Sequence, residues 1–143
     1  RRPLFDGGAV GPLVGSLRSD CPGERQAAAA AIAELAKHHT SREAMAQAGI
    51  IEALVPLLEA STDEERESAA GALKFLATKD MDDGQAAVAL TAVPPLVRLL
   101  YAEAESERAS AAGALAALAQ RGEGRRAVAE AGGVQPLLRL LES

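Results

Sequence analysis

Apolar residues recur along this chain at the spacing of one helical face. Val10, Leu13, Val14 and Leu17 stand at i, i+3, i+4 and i+7, and Ile51, Leu54, Val55 and Leu58 repeat the pattern. Such a stripe is what a helix with one buried face requires. A second stripe, Ala28, Ala31, Ile32 and Leu35, marks a longer helix. Both stripes return. Gly11-Pro12-Leu13-Val14 reappears as Glu52-Ala53-Leu54-Val55, Pro94-Pro95-Leu96-Val97 and Gln135-Pro136-Leu137-Leu138. The aligned leucines, Leu13, Leu54, Leu96 and Leu137, are 41, 42 and 41 residues apart. An independent block keeps the same step. Glu24-Arg25 matches Glu65-Arg66 and Glu107-Arg108, and Ile32 and Leu35 match Leu73 and Leu76, then Leu115 and Leu118.

Each unit of this repeat predicts three helices. The third and longest covers about 24–37, 64–78 and 106–120, and the short first helix about 42–48, 83–90 and 124–131. Gly49 and Gly132 end short helices where a left-handed backbone is easy for glycine. Pro12, Pro95 and Pro136 fall in the first turn of the middle helix, where a missing N–H costs little. Thr40-x-x-Glu43 and Ser61-x-x-Glu64 have capping-box spacing. Thr91 replaces the expected glycine, and Val88 lies one step out of phase with Met45 and Val128, which predicts an irregular short helix there. One unit cannot cover its own apolar stripe, so neighbours must stack into a continuous core. The expectation is an all-α, right-handed superhelical solenoid forming a single domain over 1–143. Its units cover about 7–40, 41–81 and 82–121, with a partial unit at 122–143. The first unit lacks its short helix and the last its third helix, and neither end has a polar outer face. A segment of a longer array, or ends covered by partner subunits, is expected.

Composition agrees. Hydrophobic residues make up 48% of the chain but aromatics only 2%, so the core is built from alanine and leucine, strong helix formers that let helices approach closely. The net charge of −5 argues against a non-specific nucleic-acid role, since phosphates attract basic surfaces. No apolar run approaches the roughly 18 residues of a membrane span. Arg1-Arg2-Pro3-Leu4-Phe5 holds neither Met nor an apolar signal segment, so any targeting peptide is expected to have been removed or never to have been present, and the single Cys21 forms no internal disulfide. An intracellular, cytoplasmic setting is expected.

Ala-Gly-Ile-Ile-Glu-Ala-Leu-Val-Pro-Leu-Leu (48–58), followed by Glu-Ser-Ala-Ala-Gly-Ala-Leu-Lys-Phe-Leu-Ala (67–77), resembles the armadillo repeat, and 131–141 repeats its first half. The resemblance covers about Gly7 to Leu141. It implies stacked three-helix units whose third helices line a concave groove for extended peptides or helices. HEAT repeats are the nearest rival pattern. In the family's nuclear-import receptors the third helix carries Trp and Asn ladders that grip basic peptides. The matching positions here are Ala30, Gly71 and Gly113 for Trp, and Glu34, Phe75 and Ala117 for Asn. The resemblance therefore implies a generic member, not an import receptor.

Third-helix positions left over from packing would set the groove floor. They are Gln26, Ala30, Glu34 and Lys37, then Glu67, Gly71, Lys74, Phe75 and Thr78, then Ala109, Gly113, Ala117 and Gln120. Small residues there would let a partner approach the backbone. Phe75 is either a buried anchor for the partner or a core residue tucked between third helices.

Other candidates point to structure. His38-His39 project about 100° apart on a helix, poor geometry for one metal, and with Lys37 they suit a helix C-terminus. Cys21 lies in a Pro-Gly turn without a nucleophile's partners. Asp63-Glu64-Glu65 and Glu103-x-Glu105-x-Glu107 suit helix starts, and Asp80-x-Asp82-Asp83-Gly84 lacks the closing Glu of a calcium loop. No phosphate-loop, dinucleotide or zinc motif is present. Arg25, Arg66 and Arg108 recur in register, either as a carboxylate ladder or, by preference, as structural residues pairing with the preceding Glu or a carbonyl of the next unit. No catalytic residue, cofactor or metal is expected. The expected function is a protein-binding scaffold whose partner is a peptide or helix, with further end-to-end contacts at the half-repeats. Two alternatives remain: the substrate-recruiting arm of a larger enzyme such as a ubiquitin ligase, and a structural subunit of a large complex.

Overall fold

A computed structural model describes residues 10–38, 42, 44–45, 47–77 and 83–142. Among the described residues, regular structure is entirely helical. The middle helices are α1 (Val10–Leu17), α3 (Ile50–Leu54), α6 (Val93–Leu99) and α9 (Val134–Glu142). The long third helices are α2 (Pro22–Leu35), α4 (Asp63–Leu76) and α7 (Glu105–Leu118). The short first helices are α5 (Asp83–Leu90) and α8 (Gly122–Glu130), and Arg42, Ala44, Met45 and Gln47 are helical at the equivalent place before α3. No described helix is long and apolar enough to cross a membrane.

The third helices pack in succession, α2 on α4 and α4 on α7, with a middle helix behind each. Their sequences explain why. Ala28, Ala69 and Ala111 are buried in register, as are Ile32, Leu73 and Leu115. Two further alanine rows fit adjacent units together. Ala29 and Ala70 lie one turn beyond Arg25 and Arg66, which reach the following unit, and Ala72 and Ala114 lie two turns beyond Glu65 and Glu107, which meet the preceding one; all four are buried. Alanine at these contacts lets neighbouring helices come close, and the aligned leucines Leu54 and Leu96 are wholly buried behind them.

The breaks have local causes. Gly49 and Gly132 adopt φ of 85° and 80°, the left-handed region that closes a helix and that side chains other than glycine's resist. Pro12, Pro95 and Pro136 are each third in their helix, as the sequence implies. Pro56 adds a further break. Lacking an N–H and crowding the carbonyl one turn back, it converts the end of α3 into a 3₁₀ segment, Val55–Glu59.

Two sequence expectations need correcting. The short helix α5 is regular, not irregular. A one-residue slip turns a helix by roughly 100°, and here Ala86 and Ala89 are buried on either side of half-buried Val88. The unit then closes without a left-handed residue, through N–H bonds from Thr91 to Val88 and from Ala92 to Ala89, both 3.0 Å. The cap of α4 is Thr62, not Ser61. Its hydroxyl accepts the Glu65 N–H at 3.2 Å and donates to the Glu65 carboxylate at 2.9 Å. The proposed Thr40 and Glu43 cap lies outside the described residues.

Candidate functional site

Parallel repetition of α2, α4 and α7 places their outward positions side by side. On α2, Ala30 and Glu34 are exposed, Gln26 is half-buried, and Lys37 just past the helix pairs with Glu34 at 3.1 Å. On α7, Ala109 is exposed, Gly113 and Ala117 are half-buried, and Gln120 is exposed beyond the helix end. The centre of the surface belongs to α4. Glu67 accepts a hydrogen bond from the Ser106 hydroxyl of α7 at 3.1 Å, joining the two helices at the rim. Thr78 lies outside the described residues.

Gly71 and Gly113 look alike in sequence but differ in surroundings. A Cβ built on Gly71 would meet nothing within 4 Å, so this patch of α4 is open. On Gly113, a Cβ would lie 2.8 Å from Cδ of Lys74 and 3.1 Å from its Cε. The lysine stem therefore crosses from α4 and fills the space that the missing side chain leaves on α7. Its ammonium sits 5.5 Å from the Phe75 ring centroid, a favourable cation–π placement. Phe75 itself is half-buried and packs against the core. The sequence left open an anchor for a partner or a core residue, and the ring's packing against the core accounts for the second.

The repeated arginines are structural, but their partners differ from those expected. Arg25 donates from Nε to Oε2 of Glu65 in the following unit at 2.7 Å, and from Nη1 to the Ser19 carbonyl at 2.7 Å. Arg66 repeats this. Its Nε and Nη2 reach Oε1 and Oε2 of Glu107, both at 3.3 Å, and Nη1 reaches the Ala60 carbonyl at 2.6 Å. The next-unit partner is therefore a carboxylate, and the carbonyl comes from the loop preceding the arginine's own helix. Glu65 is fully shielded and Glu107 nearly so. The hydrogen bond from Arg25 holds the Glu65 carboxyl below the ordinary carboxylate range, against burial, with the Thr62 hydroxyl adding to it. The same contact, with Glu107 as partner, raises Arg66.

The other residues singled out by sequence lie apart from this surface. Cys21 is an exposed free thiol at the start of α2. His38 is exposed after α2, and His39, Asp80 and Asp82 lie outside the described residues. Asp83 pairs with Arg121 at 3.2 Å. Among the described residues, no three His, Cys, Asp or Glu side chains gather as a metal would require.

The HEAT-like repeat family model matches residues 22–76. No curated protein matches the chain. Among solved structures, a designed armadillo repeat protein in complex with the peptide (KR)4 is 29% identical, at a TM-score of 0.85 over 98% of this chain and 59% of that one. Computationally designed armadillo repeat proteins for modular peptide recognition are 30% identical at a TM-score of 0.85, with 98% and 60% covered. An engineered protein is 33% identical at a TM-score of 0.88, with 98% and 34% covered. The chain thus spans no more than 60% of the length of these structures. Repeat step, helix succession and these likenesses agree: the chain is an all-α repeat solenoid of armadillo/HEAT type.

Proposed function

We propose that this solenoid is a non-catalytic scaffold that holds a peptide or helix of a partner protein along the surface formed by α2, α4 and α7. One observation carries the proposal. At the centre of that surface, the open backbone of Gly71 stands one turn from a half-buried aromatic, Phe75, whose ring has the Lys74 ammonium 5.5 Å from its centroid. A peptide backbone can approach Gly71 closely, an apolar side chain can displace Lys74 from the ring, and the freed ammonium can meet a carboxylate or carbonyl. Two of the similar structures are described as binding or recognising peptides, which supports the same use of the fold. The basic (KR)4 peptide is not the expected ligand here. Gly71 and Gly113 offer no aromatic ladder, and Lys74 would repel it. The exposed free thiol of Cys21 suits a reducing, intracellular setting.

The test is selection of displayed random peptides on the full chain, followed by Phe75→Ala and Gly71→Trp. Selected peptides should lose at least tenfold in affinity with either change while the melting temperature stays close to the parent's. Retained binding by both variants would place the ligand elsewhere. A large fall in melting for Phe75→Ala alone would make the ring a core residue, and Gly71→Trp would then decide the groove.

A further inference from the structure

Repetition singles out one residue of the middle unit. Gly-Ala-Leu-Lys-Phe-Leu (71–76) of α4 corresponds to Gly-Ala-Leu-Ala-Ala-Leu (113–118) of α7 and to Ala-Ala-Ile-Ala-Glu-Leu (30–35) of α2. Ala33 and Ala116 stand where Lys74 stands, so stacking of the units does not call for a lysine there.

Charge singles out the same residue. From Ser68 to Ala77 the only charge is that of Lys74, and from Ala109 to Leu118 α7 carries none. On the other side, Glu34 and Lys37 neutralise each other at 3.1 Å. Glu67 stands seven residues before Lys74, about 10 Å along the helix and so a full screening length away in physiological salt. Its carboxylate already accepts the Ser106 hydroxyl. Among the described residues, no carboxylate lies within ion-pair distance of the Lys74 ammonium, which sits instead 5.5 Å from the Phe75 ring centroid. The floor between α4 and α7 thus carries a single charge, positive, whose stem lies across Gly113 beside the open backbone of Gly71.

On the reading that a partner binds this groove, we infer that the bound segment is acidic at its centre. It carries an Asp or Glu next to an apolar side chain, the carboxylate pairing with Lys74 and the apolar group taking the ammonium's place at the Phe75 ring. A carboxylate fits better than a backbone carbonyl, because a full charge is what the neutral floor leaves unmatched, and hydrogen bonds between ions are roughly twice as strong as neutral ones.

The experiment selects displayed random peptides on the full chain and on its Lys74→Glu variant. Peptides from the parent should carry Asp or Glu next to an apolar residue, and those from Lys74→Glu should carry Lys or Arg there instead. In the tightest parent peptide, exchanging that carboxylate for its amide should weaken binding about tenfold, the loss that goes with one charge-assisted hydrogen bond. Lys74→Met, which keeps a long stem over Gly113 without the charge, should cost as much, and the two changes together no more. Raising the salt from about 50 to 500 mM should weaken binding to the parent but not to Lys74→Met. Peptides that lose affinity with Gly71→Trp, yet are indifferent to Lys74→Met and to the amide exchange, would overturn the acidic ligand and leave the groove standing. Peptides indifferent to Gly71→Trp as well, or none binding below ~1 mM, would remove both.

Discussion

Arg25 and Glu65, 40 residues apart in the chain, meet through a 2.7 Å contact between Nε and Oε2 that ties one repeat to the next. The carboxylate is fully shielded while the guanidinium keeps 21% of its side chain exposed. An ion pair on an open surface contributes little, but removing one partner of a shielded pair leaves a buried charge unmatched. The ladder therefore acts chiefly on register. A unit that slipped against its neighbour would strand Glu65 and Glu107 without their arginines.

Acid should loosen this junction. Because the folded-state value of Glu65 lies below the ordinary 4.5, its stabilisation is complete above that value and is lost as pH falls through the lower folded one. Glu65→Gln should cost about 2 kcal/mol at neutral pH, below the roughly 3–5 kcal/mol of breaking a fully buried pair, since Arg25 stays partly solvated. It should also flatten the fall in stability below pH 4.5. Urea melts of both proteins from pH 7 to pH 3 measure the difference. Parallel curves would show that Glu65 is not the group responsible.

Gly124 marks the closest approach between α8 and the end of α7. A Cβ there would lie 1.8 Å from the Leu118 carbonyl oxygen and 2.7 Å from its carbon, so backbone rather than a flexible side chain would have to move. Gly124→Ala should cost roughly 3 kcal/mol, at the upper end of the cost of overpacking. The loss should show as early exchange of amide protons in α8 and α9 while α2 and α4 stay protected. A melting temperature within a degree or so of the parent's would contradict the tight fit.

Much of this architecture was legible in the sequence because it rests on periodicity. The leucine step, the Ala28 and Ile32 stripe, the prolines in first turns and the left-handed Gly49 and Gly132 each follow from one residue type in one local setting, whereas Ala31, expected in that stripe, is exposed and Ala29 is buried instead. What escaped depends on choices that spacing leaves equal. Ser61-x-x-Glu64 and Thr62-x-x-Glu65 are both capping patterns, and only burial of Glu65 against Arg25 selects the second. The twin glycines Gly71 and Gly113 differ through the path of one lysine stem between helices, which no repeat pattern encodes. Spacing does not encode the regularity of α5 for a similar reason, since alanine is small enough to be buried on either side of a rotated helix.

Gly49 tests the turn between short and middle helices. At φ of 85° an L side chain is strained whatever space surrounds it, and nothing lies within 4 Å of a built Cβ. Gly49→Ala should therefore cost about 1–2 kcal/mol through backbone strain alone. Gly49→Asn should recover part of that, because asparagine tolerates the left-handed region. Thermal melts of the two variants give the comparison. Equal stability of both with the parent would mean that the turn relaxes to a negative φ, as the Thr91–Ala92 turn already does.

The two groove glycines offer a sharper test, because one substitution should give opposite results depending on a neighbour. Both lie inside helices, where alanine is favoured over glycine by about 1 kcal/mol. At Gly71 the new methyl enters open space, so Gly71→Ala should raise stability by nearly that amount. At Gly113 the methyl meets Lys74 Cδ at 2.8 Å, and the stem must swing away from α7 and give up its place near the Phe75 ring. Lost stem packing and lost cation–π attraction, about 0.5–1 kcal/mol for an exposed pair, should cancel most of the gain. Removing the stem with Lys74→Ala should restore it, so Gly113→Ala should stabilise the Lys74→Ala protein by roughly 1 kcal/mol and the parent hardly at all. A double-mutant cycle by urea denaturation measures that coupling. Zero coupling would mean that Lys74 does not rest across Gly113 in solution, and the floor of the groove would be open along α7 as well as α4.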